Sequence, residues 1–162
     1  TTPCPPRSRR PAPANRVGAV RVLVTGGAGF VGSRIALAVM ADHPGAEVVA
    51  LDNLRRRGAE TNLSRLSAAG VTFVHGDVRV RADLDQVSGS VDVVVDASAE
   101  ASVLAGLDGS PGYVLQTNLL GTINLLEWAR GRVGALLFLS ASRVYSIAPL
   151  RDRALMTTGS RY

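Results

Sequence analysis

Lysine is absent from this chain of 162 residues: all eighteen basic side chains are arginine, so no reaction step can rest on a lysine amine. Cysteine is nearly absent too. The single Cys4 lies among prolines and excludes an intrachain disulfide, which fits a reducing, cytoplasmic setting. No apolar run approaches the roughly 20 residues that a membrane-spanning helix needs, so no membrane role is expected. Only two histidines are present, and His75 has no second metal-ligand candidate at a suitable spacing, so it reads as a strand-end residue and no metal is expected. The length allows one domain with a real core, and is too short for a nucleotide-binding domain plus a sizeable substrate domain.

The formal net charge of +5 could suggest nucleic acid. However, Arg7, Arg9, Arg10 and Arg16 lie in or beside the N-terminal segment and the others are scattered or in one loop, so no nucleic-acid partner is expected. Residues 1–17 hold five of the eight prolines and show no hydrophobic period, so they read as a disordered basic extension. Their arginine and serine content without an acid leaves a transit peptide as the alternative.

The most informative stretch is Val22-Leu23-Val24-Thr25-Gly26-Gly27-Ala28-Gly29-Phe30-Val31-Gly32. An apolar strand over 21–25 runs into glycines spaced Gly-x-x-Gly-x-x-Gly, and a helix follows over 33–40. Gly26 permits the sharp turn, Gly29 lets a pyrophosphate approach the backbone, and Gly32 allows the helix to pack closely on the strand. The helix N-terminus adds free N–H donors for phosphate. A second buried strand, 47–51, ends at Asp52, twenty residues beyond Gly32. An acid there accepts hydrogen bonds from adenosine ribose hydroxyls. It would also repel the extra phosphate of NADP, by roughly 1 kcal/mol in water and ~4 kcal/mol at an effective dielectric of 20 for charges ~4 Å apart. NAD is therefore the expected cofactor. Arg55, Arg56 and Arg57 follow at once and either offset that repulsion or form a solvated loop.

Beyond this point strands and helices alternate. A short helix over 61–69 turns Leu63 and Leu66 inward, and Gly70 stops it. The third strand, 71–74, leads to His75, Gly76, Asp77 and Val78, where Asp77 and the following backbone meet an adenine edge or cap a turn. The fourth strand, 91–95, is followed by Asp96, Ala97, Ser98 and Ala99, small residues that let a ligand approach the carboxyl edge of the sheet. The longest helix spans 111–130, with Val114, Leu115, Leu119, Leu126 and Ala129 at mostly helical spacing and Pro111 in its first turn. Its apolar residues suit either core or a homodimer interface. Trp128 reads as packing, and Asn118 and Asn124 need hydrogen-bond partners that organise nearby loops. A fifth strand over 135–139 completes a doubly wound parallel α/β sheet of Rossmann type. Residues 147–162 show neither a convincing strand nor a long helix. The expected division is a tail over 1–17, a NAD-binding domain over 18–150 and an irregular tail over 151–162.

In Thr25 to Gly32, Asp52-Asn53-Leu54, Gly76-Asp77-Val78, Thr117-Asn118-Leu119-Leu120-Gly121-Thr122 and Ser140-Ala141-Ser142-Arg143-Val144-Tyr145, the chain resembles the extended short-chain dehydrogenase/reductase family, the NAD-dependent epimerases and dehydratases of nucleotide sugars. Asp52 to Gly58, Asp96 to Ala99 with Ser102 to Gly106, and Ser142 to Tyr145 are similar to the CDP-paratose 2-epimerase (CDP-tyvelose epimerase) branch. The resemblance covers about residues 20–150, the N-terminal half of a family member. It implies bound NAD, held by Gly26, Gly29, Phe30, Val31, Gly32, Asp52, Asn53, Asp77, Val78, Ala97, Ser98, Ala99 and Asn118, and a CDP-sugar as substrate of the full-length parent. It also implies a hydride removed from a sugar carbon and returned to the opposite face.

Two departures bear on that chemistry. The family's base is the tyrosine of a Tyr-x-x-x-Lys pair, and none of Tyr113, Tyr145 and Tyr162 begins one. Four residues before the motif tyrosine, where the family has a catalytic serine or threonine, stands Ala141, and the alternation of a strand turns its neighbours Ser140 and Ser142 to the opposite face. No catalytic residue is assigned. The expectation is an N-terminal portion of an isomerase, inactive alone, or else a catalytically silent NAD(P)-binding module, a remnant, or a fragment of a dehydratase or reductase.

Overall fold

The computed structural model describes residues 19–102, 104–107, 109–141, 147–152 and 159. Five parallel strands form one sheet: β1 (Arg21–Thr25), β2 (Glu47–Asp52), β3 (Thr72–His75), β4 (Val91–Asp96) and β5 (Val133–Phe138), in the spatial order β3-β2-β1-β4-β5. The order reverses between β1 and β4. Open parallel sheets bind ligands outside the carboxyl ends of the strands at such a switch point. Val24 pairs in register with Ala50 on one side and Val95 on the other, and Thr25 with Leu51 and Asp96, so the three central strands end together.

Strand alternation builds two cores from one sheet. Val22, Val24, Val48, Ala50 and Val95 face α1 (Phe30–Asp42) and α2 (Leu63–Ala68), meeting Ala36 and Leu66. On the other face Leu23, Val49, Leu51 and Val94 join Leu84 of α3 (Arg81–Asp85) with Leu125 and Trp128. Burial on both faces explains why these strands read as continuous apolar runs.

The long helix expected over 111–130 is present in three pieces: α4 (Gly112–Leu115), a π-helical turn (Gln116–Leu120) and α5 (Gly121–Ala129). The wider turn resets the phase of its faces. Thr117, Gly121, Leu125, Trp128 and Ala129 point inward, whereas Leu115, Leu119 and Leu126 of the expected apolar face lie outward. Other bounds shift modestly: α1 begins at Phe30, a 3-10 turn (Ala59–Asn62) precedes α2, β3 runs over 72–75 and β5 begins at Val133. The five-residue α3 was not anticipated, being too short for a helical period. A final short helix, α6 (Ile147–Arg151), spans the domain boundary expected at 150, while Ser142 to Tyr145 and the expected N-terminal tail lie outside the described residues.

Candidate functional site

At the carboxyl ends of β1, β2, β3 and β4 lies a cleft of about 190 Å³, lined among others by Gly26, Gly29, Asp52, Asn53, Val78, Ala97, Ser98 and Ala99. These eight of the thirteen expected NAD-site residues come together. Gly26 sits at φ +65°, and a Cβ on it would lie 2.6 Å from the Ala97 carbonyl oxygen. A Cβ on Gly32 would lie 2.1 Å from the Gly26 carbonyl oxygen, so helix and turn touch main chain to main chain. Gly29 is different. A Cβ there would meet only the Gly26 oxygen, at 3.1 Å, and this residue lines the cleft.

The glycine turn delivers the chain into α1 with no side-chain cap and no acid in the first turn. Gly29 N–H donates to the Gly26 carbonyl and Ser33 N–H to the Gly29 carbonyl, while no described residue accepts from the N–H groups of Phe30, Val31 and Gly32. Unpaired N–H groups at the positive end of a helix dipole suit a phosphate. Phe30 and Val31 side chains are exposed, so their contribution is through the main chain, and Gly32 is buried behind the turn.

At the β2 end, Asp52 accepts from Ala28 N–H at 3.1 Å through one oxygen and from Leu54 N–H at 2.8 Å through the other. The acid is thus bound to the glycine turn itself. Asn62 reinforces that turn from the side, its Nδ2 donating to the Ala28 carbonyl at 2.9 Å. Asn53 Nδ2 donates to Asp77 at 2.8 Å, and Asn53 Oδ1 accepts from Arg55 N–H at 3.0 Å. Between them Leu54 takes φ +52°, a left-handed conformation uncommon for a branched side chain. Its cost is met by the two carboxamide and carboxylate turns around it.

Asp77 is held rather than free. Burial alone would raise its pKa, but hydrogen bonds from the Arg79 side chain and Asn53, and the Arg79 charge, outweigh burial and lower it to about 2. The Arg79 guanidinium, 2.6 Å away, has its own pKa raised by the same bond. The guanidinium carbons of Arg55 and Arg79 lie 4.0 and 4.8 Å from the Tyr113 ring centre. Asp77 does not line the cleft directly; it fixes the loop that brings Val78 there.

At the β4 end, buried Asp96 accepts from Thr25 Oγ1 at 2.7 Å, Ser98 N–H at 3.1 Å and Ser98 Oγ at 2.5 Å. It ties the ends of β1 and β4 together and shapes the small-residue exit. Asn118 stands outside the lining and clamps the loop beyond: its Oδ1 accepts from Glu100 N–H at 2.7 Å and its Nδ2 donates to the Glu100 carbonyl at 3.2 Å. Asn124 Nδ2 likewise bonds the carbonyls of Val78 and Arg79. Thr117 lines the same cleft, and its Oγ1 is buried with no hydrogen-bond partner among the described residues. A buried hydroxyl without a partner fits a site built for a polar ligand. Asn62, the Tyr113 stack and the individual roles of Asp96 and Thr117 were not legible in the sequence. Only Asp96, an acid at a strand end with serine two residues on, carries a local signal.

Among the described residues no helix is long and apolar enough to cross a membrane, and no group of three potential metal ligands converges. The residues present fit a dinucleotide: an uncapped helix start, a turn with no room for a Cβ at Gly26 and Gly32, an acid at the next strand end and an unpartnered hydroxyl.

Comparison with known proteins agrees with this geometry. The chain is 35% identical over 143 residues to dTDP-glucose 4,6-dehydratase of Mycobacterium tuberculosis, matching 88% of this chain and 43% of that protein. It is 34% identical over 114 residues to CDP-paratose 2-epimerase of Salmonella typhi, covering 68% and 34% respectively. The crystal structure of ADP-L-glycero-D-manno-heptose-6-epimerase from Helicobacter pylori superposes with a TM-score of 0.68 at 28% identity, over 88% of this chain and 44% of that one. The chain therefore spans less than half the length of these relatives. Residues 22–159 match the model of the NAD dependent epimerase/dehydratase family, a family that uses NAD and whose relatives here are nucleotide-sugar enzymes, and the chain belongs to it.

Proposed function

We propose that this chain is the NAD-binding portion of a nucleotide-sugar epimerase, holding the dinucleotide without turning over substrate by itself. The observation that carries this reading is the joining of Asp52 to the glycine turn through Ala28 N–H, which sets a ribose-binding acid against a phosphate-binding helix start. NAD supplies the hydride acceptor and donor. The residues of this chain bind and orient it: Gly29 with the N–H groups of Phe30, Val31 and Gly32 toward the pyrophosphate, Asp52 and Asn53 toward the adenosine ribose, Val78 beside the adenine, and Ala97, Ser98 and Ala99 along the far half. Asp77 and Asn118 support these loops from behind.

The absence of lysine carries the second half of the reading. Neither Tyr113 nor Tyr145 is followed four residues on by the lysine that the family uses to lower a tyrosine pKa, and Ala141 offers no hydroxyl. Calorimetric titration of the purified chain with NAD tests binding; no heat of binding overturns the first half. Incubation with a CDP-sugar and, separately, with dTDP-glucose tests silence. Formation of an epimer or a dehydrated sugar overturns it.

The similarity to CDP-paratose 2-epimerase supports a CDP-sugar for the longer parent, and the setting we assign is the cytoplasm. We further assign the outward face of α4 to α5, with Leu115, Leu119, Ile123 and Leu126 exposed, to contact with a second copy. Leu119→Glu is expected to convert a sedimenting dimer to a monomer. A monomer before substitution overturns this assignment.

A further inference from the structure

Three arginines follow Asp52, and their charge bears on whether the cleft tolerates the 2′-phosphate of NADP. Resting on the NAD-cradle reading above, we propose that Glu100 is a specificity-determining residue: it holds Arg56 in an ion pair and so keeps that guanidinium from a 2′-phosphate.

The placement of both partners is explicit. Asp52 and Asn53 bind the N–H groups of Leu54 and Arg55, and the left-handed Leu54 turns the loop so that Arg55 and Arg56 both line the cleft. Arg55 is taken up by the Tyr113 ring at 4.0 Å. Arg56 meets Glu100 across the cleft, Nη1 to Oε1 at 3.7 Å. Glu100 is a prepared partner: Asn118 binds its main chain on both sides, and the same Oε1 accepts from Ser102 N–H at 2.9 Å. The Glu100 side chain is 21% exposed and that of Arg56 69% exposed, so the anchored acid sets the geometry and the arginine answers to it.

In a dinucleotide site an arginine near the strand-end acid is the usual donor to a 2′-phosphate. A guanidinium paired with a carboxylate offers a phosphate less net attraction, and Asp52 is then less opposed. Exposed ion pairs are weak, so the contribution to selectivity is a modest factor added to that of Asp52.

The test is calorimetric titration of the full chain with NAD and with NADP, for the unaltered protein, for Glu100→Gln and for Glu100→Gln combined with Arg56→Ala. Glutamine keeps an oxygen for Ser102 N–H and removes only the charge; Arg57 keeps its charge throughout. The expected result is that Glu100→Gln raises the NADP-to-NAD affinity ratio about two- to fivefold, the range of an exposed ion pair. The double substitution returns the ratio to its original value. An unchanged ratio in Glu100→Gln with NAD still bound overturns the role of Glu100 alone. A raised ratio that survives loss of Arg56 overturns it as well, because the gain is then mere removal of a negative charge. Failure of the unaltered chain to bind either dinucleotide overturns the cradle reading and this inference with it. Thermal unfolding followed by circular dichroism shows whether the substituted chains keep their fold, and a variant that does not is replaced by Glu100→Ala.

Discussion

The two sides of the sheet differ sharply. From β1 to β2, four consecutive residues of each strand are buried, and the chain beyond them is fastened by Asp52, Asn62 and Asn53. β5 is made of equally apolar residues, yet Leu137 is 57% and Phe138 53% exposed. The difference lies in neighbours. β1 has a strand on each side and helices over both faces, whereas among the described residues β5 pairs with β4 alone, and its Leu137 borders an open groove with Val20, Val22, Ile35 and Val93. Equal hydrophobicity thus gives unequal stability, because only apolar surface withdrawn from water contributes.

Substitutions can break or sharpen that contrast. The largest effect is expected for Gly32→Ala: its methyl would overlap the Gly26 carbonyl, costing on the order of 4 kcal/mol or more and abolishing NAD binding. Urea denaturation with a parallel NAD titration reads both, and a normal midpoint would break the claim that turn and helix touch. Next comes Leu23→Ala in the buried center, expected to cost about 2–5 kcal/mol in the same assay. Asp77→Asn is smaller. Because the folded pKa of about 2 lies below the ordinary 3.8, the ionised acid stabilises the fold at neutral pH, and that contribution is lost as pH falls through these values. The substitution should cost on the order of 2 kcal/mol at pH 7 and leave little difference near pH 2. A pH-independent cost would point to packing instead. Smallest is Leu137→Ser on β5, expected to change stability by less than about 0.5 kcal/mol while raising solubility. A loss as large as that of Leu23→Ala would show that the β5 surface is covered in solution.

The same contrast marks what could be read in advance. Strands β1, β2 and β4 were legible because double burial writes a continuous apolar run. The glycine turn and the strand end at Asp52 were legible because local spacing marks where a strand gives way to a turn. The faces of the long helix were not, since a π-helical turn at Gln116–Leu120 breaks the period on which such a reading depends. A supporting role was legible for Asn118, but the partners of the supports were hidden for another reason. Thr25 meets Asp96 across 71 positions, Asn62 meets Ala28 across 34, and Asn118 meets Glu100 across 18, contacts that no local pattern records.

A cradle formed by Gly26, Gly29 and Gly32 is made of main chain, and this inverts the usual logic of dissection by alanine. There is no side chain to remove, so each alanine through 26, 29 and 32 adds atoms, and the size of its effect measures crowding and not a lost bond. Gly29, which has the most room of the three, becomes the informative position: an added methyl there meets only the Gly26 oxygen, at 3.1 Å, so it crowds the main chain least while pointing to the cleft that the residue lines.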